Sequence, residues 1–431
     1  MNIHVWIGIA VLIAFLILGV PVAFSFASAA FYLIVTLHIN PSFLMPYGYS
    51  KVTAVTLLCM PMFIIAGNIM KSGKIGDALI GFVEHFIGKS KSGLGTVTAV
   101  SCAVFGSIAG SAAATISCIG SIMAPKLRDR GYPRGVAASL IAGSSVLGLL
   151  IPPSSQQVLY AWASGASVLA CFLATVVPGI LLMSLFCLVQ HMQVRKLDMN
   201  NHYVSAVAGK TFGQKFTFAL PALLMPVIIL GGIYSGIMTP VEAAAVAALY
   251  CIPVAIYVYK GIKWKAMKPV MVESGASAGS IIVMLISSQI FGRILVLQKV
   301  PDMLLGIFTT VSDSPLVVML MLNIIMMIVG MLMDDGSGIM LCATLLLPIA
   351  QGMGYHPVHF AAILGVNLGM GLTTPPMASM LYYGAQICDA PVGEMLKPTM
   401  QLILFAWIPT LILTVLFPEM ALFLPRLMGR L

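Results

Sequence analysis

Apolar residues run through this chain in long blocks, with polar positions gathered at the joints between them. Blocks at about 3–20 and 22–38 meet at Pro21, and a third covers about 52–70. Each is apolar all round rather than striped, as expected of helices surrounded by protein or lipid. The segment 71–91 differs. There Ile75, Leu79, Phe82, Val83 and Phe86 recur at helical spacing with Lys and Asp between them, which predicts a helix lying in the membrane interface. Residues 92–125 are rich in Gly, Ser and Ala and are broken at FGSIAGSAAAT. They are long for one crossing and suit a re-entrant hairpin. A basic loop, PKLRDRGYPR (125–134), leads to a block at about 135–160 interrupted at GSSVLGLLIPPSS, and then to one at about 169–190. The pattern then recurs. Blocks at about 216–236 and 240–258 divide at Pro240; 271–292 follows, then an amphipathic stretch at 293–313. A long block at 315–350 is broken at MLMDDGSG, the next is interrupted at GVNLGMGLTTPP, and a last block lies at about 398–417.

The two halves align residue by residue, an internal repeat. Pro125 and Pro348 each stand 27 residues before a Pro-Pro pair, Pro152-Pro153 and Pro375-Pro376. Gly-Tyr follows each single proline at the same distance (Gly131-Tyr132, Gly354-Tyr355), and Gly148 matches Gly371 as Ser144 matches Asn367. The predicted organisation is therefore scaffold helices at 1–70, an interfacial arm at 71–91, a hairpin and broken helix at 92–168, and a span at 169–190. A linker at 191–215 leads to scaffold helices at 216–292, an arm at 293–313, a second hairpin and broken helix at 314–383, and a C-terminal span at 384–431.

Composition places this pattern in a membrane. Apolar residues make up 60% of the 431 and charged residues 8%, against about a quarter in soluble domains. Three long stretches, 1–50, 135–194 and 336–388, carry no Asp, Glu, Lys or Arg. So few charges cannot cover a water-soluble surface, which excludes a soluble enzyme, a nucleic-acid binder and a disordered protein. The chain reads as an all-α polytopic membrane protein with about 10–12 transmembrane helices. The N-terminal block has no basic leader and reads as a first span rather than a removed signal. The eight Cys lie in apolar surroundings without metal-binding spacing and read as small buried hydrophobes. The 30 Met read as packing or lipid-facing side chains.

The net charge of +9 sets orientation. With the N-terminus outside, only Lys51, Arg293, Lys299, Arg426 and Arg430 fall on the outer side, and every other basic residue falls inside. The two hairpin bases then face opposite sides, so the repeats are inverted, as in many secondary transporters. Breaks in hydrocarbon leave backbone groups that cost several kcal/mol unless they line a cavity. There, free carbonyls can hold a cation and helix N-termini an anion. Hydroxyls cluster at both pairs of breaks: Ser107, Ser111, Thr115, Ser144, Ser145, Ser154 and Ser155, then Ser337, Thr373 and Thr374 with Asn367. Such hard oxygen ligands suit Na⁺, although small-residue helix packing would produce a similar composition. Asp334 and Asp335 are acids at membrane depth. Such a residue marks a coupling site, or else caps the helix that follows. Glu242 fits an N-terminal helix charge as well as a site, Glu273 an interfacial position, and Arg293 the start of the outer surface helix, where it meets a partner or a lipid phosphate. No Walker A or HExxH motif occurs, and no intramembrane nucleophile with its base, so an enzyme is not indicated. An inverted pair is also not the repeated filter of a channel.

The order FGSIAGSAAAT, APKLRDRGYPR, GSSVLGLLIPPSS, then MLMDDGSG, LLLPIAQGMGYHP, GVNLGMGLTTPP resembles the large membrane subunit of tripartite ATP-independent periplasmic (TRAP) transporters over essentially the whole chain. The resemblance implies a Na⁺-coupled importer of an organic anion (a dicarboxylate, sialic acid or another sugar acid) in the bacterial inner membrane, with an elevator-type transport domain. It also implies a small four-helix membrane subunit and a periplasmic substrate-binding protein as partners; the alternative is a stand-alone Na⁺/dicarboxylate-type symporter. By matching breaks, one Na⁺ would lie between Ser107, Ser111 and Gly143–Val146, including Ser144. A second would lie between Gly330, Asp334 and Gly365–Leu368, including Asn367. Substrate would meet Ser111, Thr115, Pro152, Ser154, Ser337, Thr373 and Thr374. The sequence departs from the family pattern at Asp335, where a less polar residue is expected after a single Asp.

Overall fold

The computed structural model describes residues 3–88, 90, 92–195, 197 and 212–431. Lys89, Lys91, Lys196 and Lys210, and the linker residues 198–211, lie outside the described residues. The first half contains α1 (Ile3–Ile17), α2 (Val22–Thr36), the short α3 (Leu44–Val52), α4 (Cys59–Ser72) and the arm α5 (Ile75–Ile87). Hairpin one follows as α6 (Gly93–Ala109), then α7 (Ala112–Thr115) running through a π turn into α8 (Ser121–Asp129). The broken helix is α9 (Arg134–Ser145), α10 (Leu147–Leu150) and α11 (Ser155–Ser164), bent by 45°. The long α12 (Val168–Val194) closes the half.

The second half repeats this order. It runs α13 (Phe212–Tyr234), α14 (Pro240–Pro253), α15 (Trp264–Leu297) and the arm α16 (Val300–Val311). Hairpin two is α17 (Pro315–Leu332), α18 (Asp335–Leu345) and α19 (Leu347–Gly352); its broken helix is α20 (Pro357–Gly371) and α21 (Ser379–Cys388). Then α22 (Val392–Leu402) runs through a π turn into α23 (Ile408–Leu416), and an additional α24 (Glu419–Leu427) folds back onto α12. Among the described residues there is no strand.

The halves interlock by exchange. α2 packs on α15 as α14 packs on α4; α9 packs on α22 as α20 packs on α12; α11 packs on hairpin two as α21 packs on hairpin one. Equivalent elements of the two halves thus pack against one another, the exchange expected of an inverted repeat. Lys74 and Lys299 both adopt left-handed backbone, at φ 58° and 56°, where each arm begins. Asp77 and Asp302 follow in the first turn of each arm, favourable at a helix N-terminus.

Seven helices among the described residues are long and apolar enough to cross a membrane, or eight counting the bent α9–α11. Shorter apolar helices include α1 and α2, which at 15 residues each span about 22 Å against a hydrocarbon core of about 30 Å. Both arms begin later than the amphipathic pattern suggests. α4 runs unbroken to Ser72, and α15 continues to Leu297. Arg293 therefore belongs to the last turns of α15 and does not open the surface helix. Glu242 resolves as a helix charge: it completes a capping box with Thr239 and is exposed. Glu273 is exposed near Lys71, at 3.9 Å. Six of the eight Cys are buried, two are partly so, and all are free thiols.

Candidate transport site

The centre of each repeat is a contact between glycine backbones. Gly106 of hairpin one lies on Gly148 of the broken helix; a Cβ on Gly106 would come within 2.2 Å of the Gly148 Cα. Gly330 of hairpin two lies on Gly371 of α20, where a Cβ on Gly371 would meet the Gly330 Cα at 2.7 Å. Only residues without a Cβ allow main chains to approach so closely. The Thr115 Oγ1 borders the first crossing and the Leu368 carbonyl the second, each about 3 Å from where a Cβ would be.

The two hairpin tips are equivalent helix N-termini. The offset that relates Pro125 to Pro348 also relates Ser111 to Asp334. The Ser111 hydroxyl accepts from the Ala114 N–H and the Asp334 carboxylate from the Ser337 N–H, each at 3.4 Å. Asp334 is exposed, and its carboxylate also accepts from the Ser337 hydroxyl. The structure thus uses Asp334 as the cap of α18. Before each tip the chain must reverse. Gly110 does this at φ 60° in hairpin one, and Met333 does so in extended backbone in hairpin two.

The start of α11 ties the tips together. The Ser155 hydroxyl donates to the Gly110 carbonyl at 2.6 Å, and the neighbouring Gln156 amide donates to the Asp335 carboxylate. Ser154 donates to the Gln156 Oε1 at 3.3 Å. Gln157 lies fully inside, close against Gly365 of the other repeat. Neither Gln156 nor Gln157 was singled out by sequence reasoning. Two adjacent amides within the charge-free stretch 135–194 were the available signal. Asn323 is a third such residue: its side-chain and main-chain oxygens accept from the Asn367 amide at 2.7 and 3.0 Å.

Several predicted residues occupy places different from those expected. Gly143 and Gly365–Leu368 are helical, not unwound; α20 is continuous to Gly371 and breaks only across 372–378. Gly143 faces Phe186 and Leu402, and Gly365 faces Gln157 and Leu150. These glycines serve close helix packing, while the Pro-Pro pairs, which cannot continue the backbone ladder, make the breaks. Both Pro-Pro bonds, with Pro152 in the first, are cis. Val146 ends α9 and is buried against Gly369. The Leu368 carbonyl accepts from the Leu372 N–H at 2.9 Å and retains a second lone pair. Ser107 and Thr115 donate to Val104 and Ser111 carbonyls, and Thr373 and Thr374 both donate to the Met370 carbonyl. Thr115, Thr373 and Thr374 would each have to turn away from that bond to donate to a substrate carboxylate, whereas the Ser107 oxygen keeps its lone pairs while donating.

Two oxygens stand out. Among the described residues, the hydroxyl of Ser144 and the side-chain oxygen of Asn367 are buried with no hydrogen-bond partner, and the two residues are repeat equivalents. An unpaired buried polar oxygen costs about 1–3 kcal/mol. The occurrence of both at equivalent positions beside the glycine crossings fits a site that is completed by a cation.

Comparison with known proteins places this architecture. The model of the tripartite ATP-independent periplasmic transporter DctM component matches residues 9–420. The C4-dicarboxylate TRAP transporter large permease protein DctM of Pseudomonas aeruginosa is 33% identical over 376 residues, 87% of each chain. The sialic acid TRAP transporter large permease protein SiaM of Vibrio cholerae is 31% identical over 424 residues, 98% of this chain and 97% of that one. The isethionate TRAP transporter permease protein DctMQ of Oleidesulfovibrio alaskensis is 30% identical over 410 residues, 95% of this chain, and the match spans 64% of that longer protein. In fold, the chain resembles the crystal structure of the Alcanivorax borkumensis YdaH transporter, with a TM-score of 0.64 at 14% identity over 88% of each chain. With the interlocked repeats, the paired hairpins and a family match over nearly its full length, this multi-pass membrane protein belongs to the DctM component family of tripartite ATP-independent periplasmic transporters.

Proposed function

We propose that the chain is the translocating subunit of a Na⁺-coupled importer of an organic anion, a carboxylate such as a dicarboxylate, sialic acid or another sugar acid. It would work in the bacterial inner membrane with its N-terminus in the periplasm, beside a small four-helix membrane subunit and a periplasmic binding protein. The observation that carries the coupling is the pair of unpartnered, buried, repeat-related oxygens of Ser144 and Asn367. Ser107, Ser111, Ser144 and carbonyls of Gly143–Val146 would hold one ion; Asp334, Asn367 and carbonyls near Gly330 and Gly365–Leu368 would hold the other. Bound Na⁺ supplies positive charge where the described chain has few cations of its own. The N-termini of the α7–α8 segment and of α18 turn N–H groups toward the centre, where a substrate carboxylate is favoured. Ser111, Thr115, Ser154, Ser337, Thr373 and Thr374 give hydroxyls for orientation, and Pro152 holds the break open. The hairpins and broken helices, joined through Ser155 and Gln156, would move as one elevator unit against α1, α2, α4 and α13–α15.

The test is uptake into proteoliposomes holding both membrane subunits, with the binding protein and its ligand outside. Uptake should require an inward Na⁺ gradient, and Asn367→Ala should weaken its Na⁺ dependence. Equal uptake with the gradient collapsed would remove the coupling; unchanged Na⁺ dependence in both Ser144→Ala and Asn367→Ala would remove these oxygens from it.

A further inference from the structure

We infer that the α3 end of the scaffold carries a binding site for one anionic phospholipid, with the phosphate on Arg293 and Lys51 and one acyl chain in the crevice between α4 and α15. The membrane frame comes from α15. Between Glu273 and Arg293 it carries no charge, and these 20 residues rise about 30 Å, the thickness of the hydrocarbon core. Arg293 therefore stands at headgroup level.

Tyr47 of α3 gathers two cations there. The Arg293 guanidinium lies 5.3 Å from its ring centroid and the Lys51 ammonium 5.6 Å. Among the described residues neither forms an ion pair, and the Arg293 Nε is buried with no acceptor. Cation–π attraction fixes both groups but does not neutralise them. Two like charges held on one ring favour an anion between or above them. The net-negative headgroup of an anionic lipid suits this pair, whereas a zwitterionic headgroup brings its own cation toward two others. The surroundings suit a membrane surface, since Met45 and Tyr49 of α3 are 63% and 68% exposed.

Beneath the cations the surface becomes an apolar crevice. Val52, Leu58 and Met60 form one wall, and Leu285, Ile282 and Ala278 of α15 the other. From Arg293, Leu285 and Ala278 lie about 12 and 22 Å down the helix, at 1.5 Å per residue. That is the depth of an acyl chain whose phosphate sits at Arg293. Charge above and groove below on the same helix select a phospholipid rather than a free anion.

The test uses the full-length chain in mixed micelles of phosphatidylglycerol or phosphatidylcholine, read by thermal unfolding and by lipid retained in native mass spectrometry. Phosphatidylglycerol should protect more than phosphatidylcholine, and Lys51→Gln with Arg293→Gln should weaken its apparent affinity by roughly 30-fold. Ala278→Phe, which fills the crevice and leaves both cations, should also reduce retention; it keeps the test informative if the charge variant folds poorly. Equal protection by both lipids, equal protection by soluble glycerol phosphate, or retention unchanged in Ala278→Phe would each overturn the proposal. Loss of the lipid on adding the small membrane subunit would also overturn it, because the cations would then be serving a protein carboxylate.

Discussion

One methyl group at Gly106 should push hairpin one off its broken helix. A Cβ there would lie 2.2 Å from the Gly148 Cα and 2.9 Å from its nitrogen. Ordinary contact begins near 3.4 Å, so the two backbones must part by about 1.2 Å. Both obstacles are main chain, so no rotamer change relieves them. For Gly148→Ala the nearest backbone atom is at 2.8 Å and the required shift is about half as large. Overpacking of this kind costs about 1–3 kcal/mol, with Gly106→Ala at the upper end. Gly371→Ala, at 2.7 Å from the Gly330 Cα and 2.9 Å from the Met327 carbonyl, should resemble Gly148→Ala. Gly275→Ala in α15 is the control: nothing lies within 4 Å, and the lost backbone freedom should leave it neutral or slightly stabilising. Thermal unfolding in detergent should rank the variants Gly106→Ala, then Gly148→Ala and Gly371→Ala, then Gly275→Ala, from least to most stable. If Gly106→Ala unfolds with Gly275→Ala, the helices do not touch through their backbones, and the picture of the site is wrong.

Other consequences follow from single contacts. Lys126 of hairpin one pairs at 2.8 Å with Glu84 of the arm, a carboxylate only 3% exposed. Lys126→Ala should cost on the order of 3 kcal/mol, and Glu84→Gln with Lys126→Met should recover most of it; a double-mutant cycle without coupling would contradict the pair. Gln156→Leu removes the donor to Asp335 and should cost about 1–3 kcal/mol. That loss should shrink in an Asp335→Asn background, measured by the same melts. His356, the N-cap of α20, accepts from the Val358 N–H, and burial followed by the nearby Arg426 charge holds its pKa below the ordinary 6.5. The unfolded chain then binds more protons, so this contribution to stability is present above about pH 6.5 and is lost as pH falls through the lower folded value. Wild type should lose stability between pH 7.5 and 5.5 relative to His356→Asn, which keeps an acceptor without titrating; parallel curves would exclude His356 as the cause.

The all-helical membrane class, the internal repeat and its breakers could be read directly from the chain. Lipid demands long apolar helices, and Pro-Pro pairs stop a helix wherever they stand. The cluster of hydroxyls at the breaks was likewise visible. Tertiary structure decided which of those residues have partners. Gly143 and Gly365 have the composition of breakers yet remain helical, because each receives a neighbouring helix. Asp334 has the look of an intramembrane ligand and acts as a cap, because the chain reverses just before it. Gln156, Gln157 and Asn323 gain their roles from contacts across the two repeats, and no local pattern encodes such contacts. Ser144 differs from Ser145 only in what it meets. The Ser145 hydroxyl donates to its own helix at 2.7 Å, while that of Ser144 is buried without a partner. Sequence fixes which polar atoms enter the membrane, but only packing determines which of them are left for an ion.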